Sequence, residues 1–210
     1  MLTALALVSF SYVGSLQWKA APTPRPQGPR RKTPMLHAGR ILSALAHHDV
    51  DFVTIGSYAA ILQNVDLPVT DIDIVPRDTP DNRRRLVLAL DELDARELVG
   101  DREESIDELR NDPESMGDAT FRTFVTDYGG VDFVLRPAGF PNGYDDLVDN
   151  ALLATVQDDL EPMTTVDAKI ADVRDVYKSK QQAGRPKDIE ALKAFTNIHR
   201  ADARELLRDQ

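Results

Sequence analysis

The sequence predicts an α+β fold, in which helices flank a small mixed sheet and a helical segment forms the C-terminal part. Three observations favour this class. Short apolar, β-branched runs alternate with helical patterns, two later strand patterns are joined by a tight turn, and the last part of the chain keeps a helical period. At 210 residues, the chain is long enough for one domain with a buried core and an appendage.

Composition limits the classes of function. The chain carries 25 Lys and Arg residues against 35 Asp and Glu residues, which gives a net charge of -10. This balance argues against a protein that coats nucleic acid broadly, so any nucleic-acid contact must be local. There is no cysteine, which excludes disulfides and cysteine-ligated metal sites. No apolar run is long enough to cross a membrane, and we expect a cytoplasmic protein.

The first 34 residues differ from the rest. Residues 1–18 are mostly apolar, and residues 19–34 hold five prolines and five basic residues with no acid. A secretory signal would place positive charge before its apolar run, and Met1-Leu2-Thr3-Ala4 carries none. We therefore expect residues 1–34 to be either a disordered tail or an over-extended start, in which case translation begins at Met35. The predicted division of the remainder is a core over residues 35–162 and a C-terminal helical segment over residues 163–210 that completes the site.

The first elements alternate between helix and strand. Apolar spacing at three and four residues predicts helices, and short β-branched runs predict strands. Gly56-Ser57 is typical of a tight turn from strand to helix. The predicted order is a helix at 36–49, a strand at 50–55, a helix at 58–63, a strand at 71–75 and a helix at 80–97.

The second part of the chain extends the sheet and then becomes helical. Residues 97–114 carry eight acids against two basic residues, which predicts a solvated loop or a surface helix without chemistry. Asp127-Tyr128-Gly129-Gly130 is typical of a hairpin turn. The predicted elements are strands at 120–126 and 131–135, a helix at 144–151, a short extended piece at 162–166, a helix at 167–183 that Gly184-Arg185-Pro186 ends, and helices at 187–195 and 201–207.

Two aspartates on one strand are the first candidates for chemistry. Asp71 and Asp73 are two residues apart, so they share a face of the strand at a separation of about 6 to 7 Å. Two Mg²⁺ ions can bridge such a pair in phosphoryl transfer. Gly56 would let the backbone approach a triphosphate, and the amides that follow, from Ser57 onward, would bind its oxygens. The alternative is a strand edge with two solvated carboxylates.

A third acid favours the metal site over two solvated carboxylates. Asp132 lies inside the apolar run Val131-Asp132-Phe133-Val134-Leu135, where an unpaired carboxylate would be costly. It needs a cation, which is either an arginine or a metal ion shared with Asp71 and Asp73. Three neighbouring carboxylates favour the metal, because only a metal offsets that much negative charge at neutral pH.

A basic segment forms the second group of candidates. Residues 169–187 hold six basic residues against two acids. Their side chains could bind a triphosphate or a polyanionic acceptor, or they could form a solvated helix face. Asp188 follows directly and is a candidate either to orient one of these cations or to act as a base. The basic residues are Lys169, Arg174, Lys178, Lys180, Arg185 and Lys187.

Together these motifs resemble a known superfamily. Gly56-Ser57, Asp71-x-Asp73 and the later Asp132 resemble the signature of the DNA polymerase beta-like nucleotidyltransferases. The segment from Lys169 to Asp188 resembles the C-terminal motif of the minimal bacterial members, including the AbiEii/MenT toxins of type IV toxin-antitoxin systems. The resemblance covers about residues 50–195.

The resemblance implies a fold, an activity and a site. The fold would be the polymerase beta-like nucleotidyltransferase fold, and Mg²⁺ or Mn²⁺ would be bound by Asp71, Asp73 and Asp132. The substrates would be a nucleoside triphosphate and the acceptor end of tRNA, with an antitoxin protein as a further partner. The remaining expected site residues are Gly56, Ser57, Lys169, Arg174 and Lys187 for the nucleotide, and Lys169 and Asp188 for catalysis.

Two alternatives stay open at this stage. The superfamily also contains enzymes that modify antibiotics or proteins, and Gly-Ser-Tyr replaces a double glycine at the turn. A non-catalytic module that keeps the fold and binds a nucleotide is the other alternative, although the complete set of acids argues against it.

Overall fold

The computed structural model describes residues 35–195, and this part of the chain forms an α+β fold around one eight-stranded mixed sheet. The strands are β1 (Phe52–Ile55), β2 (Asp71–Pro76), β3 (Arg96–Val99), β4 (Arg102–Ser105), β5 (Phe121–Thr126), β6 (Gly129–Val134), β7 (Leu152–Gln157) and β8 (Thr165–Ile170). The α-helices are α1 (Ala38–His47), α2 (Gly56–Ile61), α3 (Pro80–Glu92), α4 (Asp107–Asn111), α5 (Tyr144–Leu147), α6 (Val173–Ala183) and α7 (Pro186–Leu192). Short 3₁₀ turns occupy Pro113–Gly117, Val148–Asn150 and Lys193–Phe195. Every helix within the described range is too short or too polar to cross a lipid bilayer.

The sheet is mixed, with its parallel pairs at the centre. The strand order is β4-β3-β5-β6-β2-β1-β8-β7. β2 runs parallel to β6 and antiparallel to β1, and β1 in turn runs parallel to β8. The outer strands pair antiparallel, as β5 with β6, β3 with β4 and β5, and β7 with β8. The predicted α+β class and the β5–β6 hairpin are therefore confirmed.

Alternating side chains divide the sheet between two cores. Ile72 and Ile74 point from β2 into the core that α1 and α3 cover, together with Phe133 of β6. Val53 and Ile55 of β1 belong to the second core, which α2, α5 and α6 cover. Because strand side chains alternate between faces, Asp73, which lies between Ile72 and Ile74, faces the side of the sheet that carries the second core.

Three segments differ from their predicted structure. A solvated loop or a surface helix was predicted for residues 97–114. The short helix α4 agrees with the second alternative, but the β3–β4 hairpin was not predicted; Arg122 pairs there with Glu97 at 2.6 Å and Arg96 with Glu103 at 3.4 Å, which offsets part of the acidic charge. Residues 152–157 form β7, which had no predicted element.

The third difference affects the site. Residues 165–170 form strand β8, whereas a helix was predicted from residue 167. Val166, Ala168 and Ile170 are buried at alternate positions, which is a strand period. The helix α6 begins only after Asp172, whose side chain accepts a hydrogen bond from the backbone of Arg174.

The predicted domain division stays a prediction. Its boundary at residue 162 falls between β7 and β8, which pair with each other over their full length. The predicted extension at residues 1–34 and the predicted helix at residues 201–207 lie outside the described range.

A buried asparagine ties β1 to the start of α3. Thr79 caps α3 by accepting a hydrogen bond from the backbone of Asn82, and Pro80 occupies the first turn. The Asn82 side chain is 3% exposed and fully engaged. It accepts from the backbone of Asp51 at 2.8 Å, and it donates to the carbonyls of Asp51 at 2.9 Å and Arg77 at 2.8 Å.

Asn82→Ala should lower the free energy of unfolding by about 3 kcal/mol, because one backbone donor and two carbonyls near the sheet lose their buried partners. Urea denaturation measures the change. Asn111→Ala, at the exposed end of α4, is the matched control and should change stability by less than about 0.5 kcal/mol. Equal unfolding midpoints for the two variants would contradict the structural role given to Asn82.

Candidate active site

Two parallel strands bring the three aspartates together. In the register of β2 on β6, Asp73 lies beside Asp132 and Asp71 beside Gly130. A Cβ atom at Gly130 would come within 3.2 Å of the Asp71 Cβ, so glycine at this position leaves room for that side chain. All three acids line a cleft of about 980 Å³ on the face of the sheet opposite α1 and α3. The structure therefore groups the three predicted metal ligands.

The turn after β1 lies against the same acids. Ile55 is the register partner of Asp73, and α2 begins directly at Gly56 rather than after the turn. Gly56 has a φ of +76°, and a Cβ atom there would overlap the Oδ2 oxygen of Asp73 and stand 2.8 Å from its Cγ. Glycine is thus required both for the backbone conformation and for the closeness of the carboxylate. Ser57 follows and lines the cleft.

Helix α6 supplies a cation that faces this turn. Lys180 lines the cleft, and its Nζ donates a hydrogen bond to the Ser57 Oγ at 3.3 Å. Burial lowers the pKa of the Lys180 ammonium, although the negative charges of Asp188 and Asp73 act in the opposite direction. The side chain of Lys187, at the start of α7, lines the cleft as well.

Asp188 holds one of these cations in place. Its carboxylate is buried and accepts hydrogen bonds from Arg185, at 2.6 Å from Nε and 3.2 Å from Nη2. Burial by itself raises the pKa of Asp188, but the hydrogen bond and charge of Arg185 outweigh it and leave that pKa below its usual value. Of the two predicted roles, these contacts favour orientation of a cation over action as a base.

The acids are under mutual electrostatic strain. Burial, followed by the charges of Asp71 and Asp132, raises the pKa of Asp73 to about 7. Burial also raises the pKa of Asp132, with a hydrogen bond from Thr123 acting against it and the charge of Asp71 adding to it. Lys187 lowers both values, yet it does not compensate fully. A further positive charge, such as a metal ion, would stabilise this group.

The distances between possible metal-ligand atoms differ between two groups of side chains. Within residues 35–195, the group of three metal-ligand atoms that converges within 4.8 Å is that of His47, His48 and Glu92. That group lies on α1 and α3, on the other face of the sheet, and Arg40 already approaches Glu92 at 3.6 Å. The three cleft aspartates do not form such a group, so their carboxylate oxygens do not all lie within 4.8 Å of one another.

Lys169 and Arg174 do not lie at the cleft. The Lys169 Nζ donates to Asp51 at 2.6 Å and to the Tyr144 hydroxyl at 2.9 Å, and Arg174 binds the Asp172 carboxylate at 2.8 Å. Neither residue lines the cleft. The physical reason is that Lys169 belongs to strand β8 and not to the helix that was predicted to carry it.

Lys180 and Arg185 line the cleft. Both belong to the predicted basic segment, but the resemblance assigned a role to neither of them. A usable signal for Lys180 is the helical period of α6. Val176, which is fully buried, lies one turn before Lys180, so the two residues share the inward face of the helix. The periodicity thus identifies Lys180 once the start of α6 is known.

Comparisons with known proteins find a structural similarity but no match to a protein family or a curated protein. No protein-family model matches the sequence, and no curated protein matches it. Among solved structures, the chain is similar to a Thermotoga maritima protein that is provisionally assigned as a nucleotidyltransferase, with 18% sequence identity and a TM-score of 0.44. The similarity covers 76% of this chain and 89% of the other. The function therefore has to follow from the residues of the cleft.

Gly56→Ala should weaken the binding of Mn²⁺, used as a spectroscopic substitute for Mg²⁺, by about tenfold or more, because the added Cβ displaces the Asp73 carboxylate. Electron paramagnetic resonance measures the free ion. Gly100→Ala is the matched control, since Gly100 has a φ of +63° with nothing within 4 Å of the added atom. It carries the same backbone strain without the clash, and a loss of affinity in this control as well would contradict the prediction.

Asp73→Asn should stabilise the metal-free protein at pH 8 by on the order of 3 kcal/mol and have little effect at pH 4. A carboxyl whose pKa is raised to about 7 in the folded state keeps its proton after the unfolded chain has lost it. Stability therefore falls as pH rises from about 4 to 7, and the substitution removes that loss. Urea denaturation across this range measures it. Asp66→Asn, an exposed cleft residue, is the control, and equal pH dependence in both variants would contradict the prediction.

Proposed function

We propose that this chain is a Mg²⁺-dependent nucleotidyltransferase, which transfers a nucleotide from a nucleoside triphosphate to an acceptor hydroxyl and releases pyrophosphate. One observation carries the proposal. Asp71, Asp73 and Asp132 share a cleft with the Gly56-Ser57 turn, and basic residues of α6 and α7 face them. A carboxylate cluster opposite a cationic wall is what a metal-bound triphosphate requires.

The donor set fits the metal. All three candidate ligands are carboxylates, which are the hard oxygen ligands that Mg²⁺ and Mn²⁺ prefer. The raised pKa of Asp73 means that the nearby lysines do not fully compensate for its burial and for the charges of the other acids. Asp71, Asp73 and Asp132 would hold the metal, which would neutralise charge on the phosphates.

The basic wall would bind the phosphates. Lys180 is held 3.3 Å from the Ser57 hydroxyl, so its ammonium is already directed at the turn where the triphosphate would lie. Arg185 is fixed by the buried Asp188 and does not have to be ordered on binding. Lys187 adds a third charge in the same cleft.

The reaction is a substitution at the α-phosphorus. The acceptor hydroxyl oxygen forms a bond to the α-phosphorus while the bond from that phosphorus to the bridging oxygen of pyrophosphate breaks. The proton of the hydroxyl passes to the carboxylate of Asp132 and then to solvent. Negative charge that develops on the departing pyrophosphate is stabilised by Lys180 and Lys187.

The proposal extends to the acceptor through the motif resemblance. The order Gly56-Ser57, Asp71-x-Asp73, Asp132 and Asp188 resembles that of AbiEii/MenT toxins. On this basis, the acceptor is the 3′ end of tRNA, the consequence is growth arrest in the cytoplasm, and a cognate antitoxin protein counteracts it. An antibiotic or protein acceptor, or nucleotide binding without turnover, are the outcomes that would replace this part of the proposal.

Incubation with each α-labelled nucleotide, Mg²⁺ and total RNA tests the proposal, with protein extract and aminoglycosides as separate acceptors. We expect label in the tRNA fraction and none with Asp71→Ala. Label in another fraction would keep the activity and change the acceptor. Absence of label in every fraction, with either Mg²⁺ or Mn²⁺, would exclude the enzymatic proposal.

Lys180→Ala should lower kcat/KM for the nucleoside triphosphate by about 100-fold, because it removes the cation directed at the phosphates. Lys169→Ala is the contrasting variant, since its contacts with Asp51 and Tyr144 lie outside the cleft. We expect it to change kcat/KM by less than about threefold while costing about 1 kcal/mol of stability. Initial rates at varied nucleotide concentration measure both. A larger loss of kcat/KM in Lys169→Ala than in Lys180→Ala would instead assign the phosphate-binding role to Lys169.

A further inference from the structure

An exposed aromatic side chain lies on the wall of the cleft. Phe121, the first residue of β5, is 51% exposed, although most large apolar side chains of the sheet are buried. Its register partner Val134 and the following Arg136 line the cleft with it. The Arg136 guanidinium is exposed and makes no ion pair with any other residue in the range 35–195. These three side chains take no part in the proposed binding of the metal and the phosphates.

Phe121 faces the same side of the sheet as the acids. Phe121 and Thr123 are two residues apart on β5 and share a face, and Thr123 is the register partner of Asp132. The aromatic ring is therefore one strand away from Asp132 and one pleat further along the sheet.

The strand order separates this wall from the phosphate-binding turn. Gly56-Ser57 follows β1, and the order across the sheet is β5-β6-β2-β1. With strands about 4.8 Å apart, Phe121 lies about 14 Å across the sheet from the end of β1. The acids of β2 and β6 lie between the two.

In an in-line displacement, the two substrates lie on opposite sides of the reacting phosphorus. The attacking oxygen and the leaving pyrophosphate stand on opposite sides of the α-phosphorus. If the phosphates lie at Ser57 and Lys180, the acceptor has to approach from the β6 and β5 side. We propose that Phe121, Val134 and Arg136 form an acceptor subsite, in which Phe121 stacks on a planar base and Arg136 binds an adjacent phosphate.

The chemistry of this subsite selects a class of acceptor. An aromatic ring beside an arginine that makes no ion pair among residues 35–195 suits a base and a backbone phosphate, which occur together at an unpaired nucleic-acid end. A base in a duplex could not reach the ring, because its faces are stacked on its neighbours. This inference rests on the proposed function for its orientation. It also explains how a chain of net charge -10 binds a polyanion, since stacking needs no positive charge.

Direct binding of RNA without nucleotide tests the subsite. The probe is a short, unpaired RNA with a fluorescent 5′ end and a free 3′ hydroxyl, titrated with the full chain in Mg²⁺ and followed by fluorescence anisotropy. Phe121→Ala should raise the Kd for this RNA by about tenfold or more and leave the Kd for the nucleoside triphosphate within about twofold. Phe121→Trp should keep the wild-type affinity, and Phe121→Leu should resemble Phe121→Ala, because the ring and not its apolar bulk is needed.

Arg136→Ala should raise the Kd for RNA and reduce the slope of log Kd against log salt by about one phosphate contact. Two matched controls lie outside the cleft and should bind RNA as the wild type does. Leu153→Ala removes an exposed apolar side chain of β7, and Arg102→Ala removes an exposed arginine of β4.

The subsite is excluded if the wild type does not bind the RNA, if Phe121→Ala or Phe121→Leu binds it as tightly as the wild type, or if Phe121→Ala weakens nucleotide binding instead. These outcomes separate the subsite from the proposed function. Nucleotide transfer with an unchanged KM for RNA in Phe121→Ala would exclude the subsite alone. Loss of RNA binding in Phe121→Ala, in a protein that transfers nothing, would support the subsite and exclude the enzymatic proposal.

Discussion

The parallel register of β2 on β6 is the constraint on which the rest of the site depends. It sets Asp73 beside Asp132, with Asp71 two residues away on the same face, so three like charges share one partly buried cleft. Burial, followed by the charges of Asp71 and Asp132, raises the pKa of Asp73 to about 7, so this arrangement is unfavourable by itself. The neighbouring elements reduce the cost. α6 and α7 bring basic side chains to the opposite wall, and Gly56 leaves the space into which the Asp73 carboxylate fits.

The same register is maintained from the other face of the sheet. Ile72 and Ile74 alternate with the two aspartates and are fully buried in the core beneath α1 and α3. Because strand side chains have a period of two, a slip of one residue would bury Asp73 and expose the isoleucines. The cost of burying a carboxylate in that core would be several kcal/mol. The hydrophobic core thus fixes the positions of the acids, although it does not contact any substrate.

Local patterns in the sequence were sufficient to group the three acids that line the cleft. They were only partly sufficient for its basic residues, since Lys187 lines the cleft whereas Lys169 and Arg174 do not. Asp71, Asp73 and Asp132 lie on strands whose alternation is visible over a few residues, and Gly56 marks the turn beside them. The choice between Lys169 and Lys180 as the lysine of the cleft depended on where β8 ends and α6 begins. Val166, Ala168 and Ile170 are spaced with a strand period, but they directly precede the helical pattern of α6, and the predicted helix extended back to residue 167. Pairing with β1 and β7 establishes the strand. The acidic β3–β4 hairpin was missed for a related reason, since its strands depend on ion pairs with β5 and with each other.

Under the proposed function, the charges of the cleft favour joint binding of metal and nucleotide. The ionisable side chains that line it are Asp66, Asp71, Asp73, Asp132, Asp188 and Glu190 on the acidic side, and Arg136, Lys180, Arg185, Lys187 and Lys193 on the basic side. The cleft is therefore close to neutral, and two of its cations are already paired with Asp188 and Glu190. A free triphosphate, with a charge of roughly -4, would meet the three aspartates unshielded. In the proposed function, two divalent ions would supply positive charge beside the phosphates, so metal and nucleotide would each lower the electrostatic cost of binding the other.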